Sequence, residues 1–321
     1  MRSEEITFDS DGCTLAGTYV EADRPAAAAL LITGSGRVDR DSDARLAGRT
    51  LRAGITKAIA DALAAANVST LRYDKRGVGA SGGDYYRTGM PQRLADAEAG
   101  LAWLVGRAEG LPLVAVGHSE GAYHAARLAG DNRGVAGAVL LSGSVRTGSE
   151  VLAWQTAQLA SRLPPSARLI LRLMRTDAVR AQRKNMDKVL ASPADVMRVQ
   201  GTKINARWFR DFAAYDPAPA LARITVPVLA ITGGQDVQVP PDDVEAMGRL
   251  VRGPFEGHVA GDLSHLLRPD PDSVGPRGYF RSVREPVSPE VLGLITAWTG
   301  QHWPAAAPEH AAGEHAAGGP A

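Results

Sequence analysis

Leu111-Pro-Leu-Val-Ala-Val116, Gly117-His-Ser-Glu-Gly121 and Ala122-Tyr-His-Ala-Ala-Arg-Leu128 follow one another without interruption, and their order decides the fold of this chain. The apolar run reads as a buried strand, the glycine-bracketed pentapeptide as a sharp turn, and the alanine-rich stretch as a helix. In that setting a G-x-S-x-G motif is a nucleophile elbow. Its two glycines let the backbone turn so tightly that the serine is held strained with its hydroxyl exposed. Ser119 is therefore the candidate nucleophile. The blander reading, a loop serine between chance glycines, loses ground if the later strands end in a matching acid and base.

Outward from this segment, short continuous apolar runs recur at residues 26–33, 68–73, 135–141 and 226–232. Such runs mark strands buried on both faces of a parallel sheet. Helix-like segments at 55–66 and 92–107 separate most of them, so the chain reads as α/β, with a mainly parallel, doubly wound sheet built from crossover units. Ligands then sit beyond the carboxyl ends of the strands. Residues 4–20 alternate around Asp9-Ser-Asp-Gly12, which predicts an N-terminal antiparallel hairpin.

One interval breaks the alternation. Between the run ending near Leu141 and the run beginning near Val226 lie about 80 residues, too many for a βα connection. Helical patterning at 150–163, 167–186 and 193–212 predicts a helical cap inserted over the strand ends. The expected division is a core of residues 1–145 and 223–303, a cap of 146–222, and a disordered tail of 304–321. That tail is an Ala/Gly/Pro tract carrying His310 and His315 without apolar bulk. Most apolar cap positions are expected to pack the cap onto the core, and bulky ones such as Trp154 and Trp208 to bear on the acyl chain.

Composition narrows the function classes. The 321 residues are 45% hydrophobic and 22% charged, and 36 basic against 35 acidic residues leave a formal charge of +1. Neither a nucleic-acid footprint nor a polybasic membrane patch is present. A single cysteine, Cys13, precludes an intramolecular disulfide, and no Cys/His set has zinc-site spacing, so neither metal nor cofactor is expected. The N-terminus lacks the apolar region of a signal peptide, and no stretch approaches the roughly 18 apolar residues of a membrane span. A cytoplasmic protein acting on a small-molecule acyl substrate is the expectation, with no nucleic-acid or membrane partner. Oligomeric state is not legible.

A serine hydroxyl needs a base within hydrogen-bond reach, itself oriented by a third group. The apolar run at 226–232 ends in Gly233-Gly-Gln-Asp236, which puts Asp236 on a loop at the sheet's carboxyl edge. Residues 255–260 read as the next strand, and Gly261-Asp-Leu-Ser-His265 follows it. Asp236 is the candidate acid and His265 the candidate base. Competing residues have structural readings. Asp216 precedes Pro217 and suits a helix N-cap. Asp242 and Asp243 suit the dipole of a helix start. His118 and His124 flank the nucleophile but point elsewhere, and His258 lies inside a strand with no evident companion acid. For the oxyanion, one donor is the N–H of Glu120. The second is expected from Thr33-Gly-Ser-Gly-Arg37, with Ser35 N–H ahead of Gly36.

The order Ser119, Asp236, His265 is that of the α/β-hydrolases. With Thr33-Gly-Ser-Gly36, Asp39-Arg-Asp41, Arg72-Tyr-Asp-Lys-Arg-Gly-Val-Gly-Ala-Ser81, Gly233-Gly-Gln-Asp-Val-Gln-Val-Pro240 and Leu263-Ser-His-Leu266, the chain resembles that superfamily over about residues 10 to 303. Within it, the chain resembles bacterial serine carboxylesterases of the dienelactone-hydrolase-like and serine-aminopeptidase-like groups. Thr33 and Arg37 stand where such esterases often have Pro, and Ser264 where Asn commonly precedes the histidine. The resemblance implies cofactor-free cleavage of carboxylic esters through an acyl-Ser119 intermediate. Thioesters, lactones and acyl transfer use the same machinery, and a noncatalytic ligand-binding homologue is the alternative from another class.

Overall fold

The computed structural model describes residues 1–46, 48–131, 133–162, 177–269 and 275–305. The chain opens with an antiparallel hairpin, β1 (Arg2–Ser10) and β2 (Cys13–Glu21), closed by the two-residue turn Asp11–Gly12. Cys13 is the first residue of β2, half-buried and free. Strand β3 (Ala27–Ile32) follows, then a small hairpin of β4 (Ala44–Leu46) and β5 (Arg49–Leu51), helix α1 (Ile55–Ala65), strand β6 (Val68–Tyr73) and helix α2 (Met90–Arg107). Strand β7 (Leu113–His118), helix α3 (Glu120–Gly130) and strand β8 (Gly137–Leu141) form the unit that contains the elbow.

All six residues of β3, β6 and β7 and all five of β8 are buried, as continuous apolar runs require. Alternate side chains go to opposite faces: Ala28, Leu30 and Ile32 enter one core, Ala27, Ala29 and Leu31 the other. Helices α2 and α3 cover the first face, and α1 the second, through Ile55, Ile59 and Leu63.

After β8 come α4 (Gly148–Ser161), α5 (Ala178–Ala191), β9 (Val196–Val199), β10 (Thr202–Asn205), α6 (Ala206–Ala213) and α7 (Ala218–Leu221). The helical expectation for 193–212 is corrected here. Val196–Val199 and Thr202–Asn205 pair antiparallel across Gln200 and Gly201, both at positive φ, a turn that no helix accommodates. The helix starts later, where the Asn205 side chain accepts the Trp208 N–H at 2.8 Å. The insertion is thus mixed, helices with a β-hairpin. Part of the expected 167–186 helix and all but the first two residues of the expected tail lie outside the described residues.

Strand β11 (Val228–Gly233), helix α8 (Asp243–Leu250), strand β12 (Phe255–Ala260), helix α9 (Gly275–Ser282) and helix α10 (Pro289–His302) complete the chain. The eight-stranded sheet has the order β1-β2-β6-β3-β7-β8-β11-β12, parallel from β6 to β12 and antiparallel at β1 and β2. From β3 the chain goes to β6 on one side and returns to β7 on the other. The carboxyl ends of β3 and β7 therefore flank the point where the winding reverses, and a crevice opens there. No helix among the described residues is long and apolar enough to cross a membrane.

Candidate active site

Ser119 stands between β7 and α3 at φ 56° and ψ −117°. A non-glycine residue at such angles is strained, and the surrounding packing must hold it there. Here the packing is backbone on backbone. A Cβ at Gly117 would come within 2.1 Å of the Gly121 carbonyl oxygen, and one at Gly121 within 2.1 Å of the Ile32 carbonyl oxygen. Neither glycine admits a side chain, so the turn stays tight. The Ser119 N–H donates to Leu141 O at 2.8 Å, tying the elbow to the neighbouring strand.

The loops after β11 and β12 bring two more side chains to Ser119. His265 Nε2 lies 3.0 Å from Ser119 Oγ, and His265 Nδ1 lies 2.8 Å from Asp236 Oδ2. A carboxylate can only accept, so Nδ1 carries the proton and Nε2 is left as the acceptor for the serine hydroxyl. Asp236 Oδ1 accepts the N–H groups of Gln238 at 2.7 Å and Val239 at 3.0 Å. Burial pushes the Asp236 carboxyl up, but His265 and these two amides outweigh it and hold its pKa below the ordinary value. It is ionised at neutral pH.

The flanking histidines have other partners. His118 Nε2 donates to the His265 carbonyl at 2.9 Å, bracing the loop that carries the candidate base. Burial, then the neighbouring His265, push the His118 pKa down to about 3, so the ring is neutral. His124 Nε2 meets Glu120 Oε1 at 3.4 Å. His258, read from sequence as lacking an acid, has one: Glu256, two residues away on the same strand, at 2.7 Å. Period-two spacing puts both on one face of β12. Asp216 accepts the Ala218 N–H at 3.0 Å, in keeping with a capping role at α7. Asp243 does more than suit a dipole: it is buried and receives Ser144 Oγ and, at 3.0 Å, Arg146 Nε, anchoring the loop after β8.

Glu120 starts α3, where helical N–H groups are unpaired and face the crevice. A Cβ at Gly34 would stand 3.2 Å from Ser119 Cβ, so the loop after β3 runs close to the candidate nucleophile, and Ser35 lines the same space as Ser119. Among the described residues the Ser35 N–H has no acceptor. Beneath this loop the buried Lys75 donates from Nζ to the Gly34 carbonyl.

Burial, and next Arg93, lower the Lys75 pKa to about 7 against the attraction of Glu120 and Asp39. The unfolded chain keeps that proton up to the ordinary value of 10.5. Through that window the unfolded state binds more protons, so stability rises with pH. The thermal midpoint of the wild type should accordingly rise relative to that of Lys75→Met between about pH 7.5 and about pH 9.5. Parallel pH dependence in the two proteins would contradict a nearly neutral buried amine.

Two cavities meet at Ser119 and Ser35. The larger, about 350 Å³, runs under the segment from Gly36 to Ile55 and includes His265, Leu51 and Tyr279 in its wall. The smaller, about 50 Å³, is roofed by Val151, Leu152, Trp208 and Phe212 and includes Glu120 but not His265. Trp208 stacks on Phe212 at 4.9 Å, so this roof is stiff. Trp154 does not line it; its ring stands over Arg146 at 6.0 Å. Residues 37–55 were not singled out from the sequence as a pocket wall. Their strands are three residues each, too short to carry a legible alternation. Among the described residues no group of three His, Cys, Asp or Glu side chains could hold a metal ion.

The sequence profile of the family described as serine aminopeptidase, S33, matches residues 46–272. The esterase EstD of Thermotoga maritima is 26% identical over 289 residues, covering 88% of this chain; the chain spans 64% of that relative's length. Among solved structures, Est1E from Butyrivibrio proteoclasticus, with ferulic acid bound, aligns with a TM-score of 0.58 at 17% identity, covering 92% of this chain and 97% of that one. The Pyrococcus furiosus esterase Pf2001 aligns at 0.60 and 15%, covering 94% and 91%. The α/β hydrolase GrgF from Penicillium aligns at 0.61 and 17%, covering 94% and 99%. These likenesses establish the fold, and the profile match, which extends over most of the chain, shows that it belongs to the serine aminopeptidase S33 family of α/β hydrolases.

Proposed function

We propose that the protein hydrolyses carboxylic esters through an acyl-Ser119 intermediate. The observation that carries this is the relay from Ser119 Oγ to His265 at 3.0 Å and on to Asp236 at 2.8 Å, at the junction of two cavities. His265 takes the serine proton as Oγ attacks the carbonyl carbon. The oxyanion that forms is held by the N–H groups of Ser35 and Glu120. Collapse breaks the bond to the alcohol oxygen, which receives its proton from His265. Water, activated by the same imidazole, then releases the acid. Asp236 keeps the ring in the required tautomer and stabilises the imidazolium. That a relative and the Pf2001 structural neighbour are named esterases supports the ester as the bond cleaved.

The same chemistry assigns the cavities. The leaving oxygen must meet His265, which borders only the larger one, so the alcohol lies there. The acyl group then lies beside Glu120 in the smaller one, whose volume suits an acetyl or propionyl group. On this reading residues 146–222 act as a cap that sets acyl length over a core of 1–145 and 223–303. Trp208→Ala should open the roof and favour longer chains, by about fourfold for each added methylene that the enlarged pocket buries. Rates on acetate, butyrate and octanoate esters of one phenol would measure this. Equal proportional changes on all three would make the insertion a buttress and not a gauge of chain length. Labelling of Ser119 by a fluorophosphonate tests the nucleophile directly, since an unactivated serine reacts slowly.

A further inference from the structure

Among the described residues, the cavity on the His265 side of Ser119 carries ionic charge of one sign. Arg37 and Arg45 line it, and among the described residues no Asp or Glu does. Both are exposed, and neither forms an ion pair with a described residue; Arg37 lies over the Tyr86 ring at 5.7 Å. Other arginines around this end of the sheet are committed: Arg40 to Asp74 and Glu5, Arg72 to Asp41, Arg76 to Asp96, Arg93 to Glu120. Asp39 and Asp43 share an adjoining cavity of about 430 Å³ with Arg37 and Arg45, but they are engaged with backbone. Asp39 Oδ1 accepts the N–H groups of Asp41 and Asp43, at 3.0 and 2.9 Å, and Asp43 Oδ1 accepts that of Gly54 at 3.0 Å.

Two guanidinium groups with no described ion-pair partner, beside the apolar side chains of Leu51, Ile55 and Leu266, form a site for a group that is apolar along its body and anionic at its far end. We propose that Arg37 and Arg45 select substrates whose leaving alcohol bears a carboxylate, so that the substrate class is a short acyl ester of a hydroxy acid or phenolic acid. This rests on the reading of Ser119 as nucleophile and His265 as the group that protonates the leaving oxygen. The bond from Ser119 Oγ to the acyl carbon forms, the bond from that carbon to the alcohol oxygen breaks, and the His265 proton passes to that oxygen. The hydroxy acid departs. Water then cleaves the acyl-serine to give the short carboxylic acid and restore Ser119, with no other reactant.

The test compares para-acetoxybenzoate with its methyl ester, which share an acyl group and an aryl leaving oxygen but differ in charge at the far end. After correction for the rates of the two esters with hydroxide, wild-type kcat/KM should favour the acid on the order of tenfold, mainly through KM. In Arg37→Gln/Arg45→Gln the corrected ratio should fall to near one. A carboxylate on the acyl side, as in para-nitrophenyl hydrogen succinate against the butyrate, should bring no gain. Free para-hydroxybenzoate should inhibit wild type more strongly than its methyl ester does. Equal wild-type preference for the charged and neutral esters, or a ratio that survives the double substitution, would overturn the proposal. Wild-type hydrolysis of para-nitrophenyl acetate separates the two readings: if it proceeds while the charge preference is missing, only the arginine assignment fails. If no ester is hydrolysed, the acyl-serine reading fails with it.

Discussion

Ser119→Ala should abolish ester turnover, with a loss on the order of 10⁴-fold or more, because the oxyanion donors and binding contacts that remain cannot replace a nucleophile. The fold should survive. The Ser119 side chain makes one described hydrogen bond, to His265, and alanine at the same backbone angles carries the same strain without adding volume. A melting temperature near wild type together with lost activity separates a chemical role from a structural one. Should the purified variant keep most of its activity on para-nitrophenyl acetate, the nucleophile assignment is wrong.

Arg93→Met should strongly destabilise the fold. Arg93 and Glu120 are each 3% exposed, and one guanidinium nitrogen reaches both carboxylate oxygens, at 2.7 and 2.8 Å. Removing the cation leaves a buried carboxylate without its partner, which typically costs about 3–5 kcal/mol. Burial pushes the Glu120 carboxyl up, but Arg93, and after it His124 and Lys75, outweigh this and hold its pKa below the ordinary value. The unfolded chain therefore binds its Glu120 proton first as the pH falls. The stabilisation is fully present above the ordinary glutamate value and is lost as the pH drops toward the depressed folded value.

The variant's deficit should thus be large at about pH 7 and smaller at about pH 4, where a protonated Glu120 no longer requires a cation. Denaturant unfolding at both pH values measures it, and Arg93→Met/Glu120→Gln should recover much of the loss. A deficit that is small, or constant with pH, would show that the pair contributes little. The pair also links stability to the site, because Glu120 supplies the N–H next to the candidate nucleophile Ser119. Arg93 in turn faces the Trp208 ring, which roofs the smaller cavity, at 5.7 Å.

The parallel sheet was legible because burial on both faces writes itself into local composition. Residues 68–73 were bounded as found, and the other buried apolar runs differ from their strands by a residue or two at the ends. Residues 255–260 were also bounded as found, although β12 lies at the sheet edge and is only partly buried. The elbow was legible in part for a similar reason: Gly117 answers a steric demand that acts within five residues of chain, its Cβ position being filled by the Gly121 carbonyl, whereas Gly121 answers to Ile32 on the neighbouring strand. The 193–212 interval misled because Trp208 and Phe212 do follow a helical period, whereas the hairpin before them is set by the left-handed turn at Gln200 and Gly201. The 37–55 wall had no comparable local signature.

The types and order of the candidate site residues, Ser119 then Asp236 then His265, could be read from the chain, since each follows a segment that reads as a strand and parallel strands end at one edge of the sheet. Their separations could not. His265 lies 146 positions from Ser119, and the 3.0 Å between them follows from strand order and loop closure, which no local pattern encodes. The same holds for Arg93 and Glu120, 27 positions apart, and for the Lys75 bond to Gly34 across 41. Tertiary structure also decided the asymmetry of the two cavities: a small one closed by Trp208 and Phe212, and a larger one bordered by Arg37 and Arg45. The physical reason is range. Strand burial and glycine turns are set by neighbours in sequence, whereas a cavity is the space left by elements that meet only after the sheet has formed.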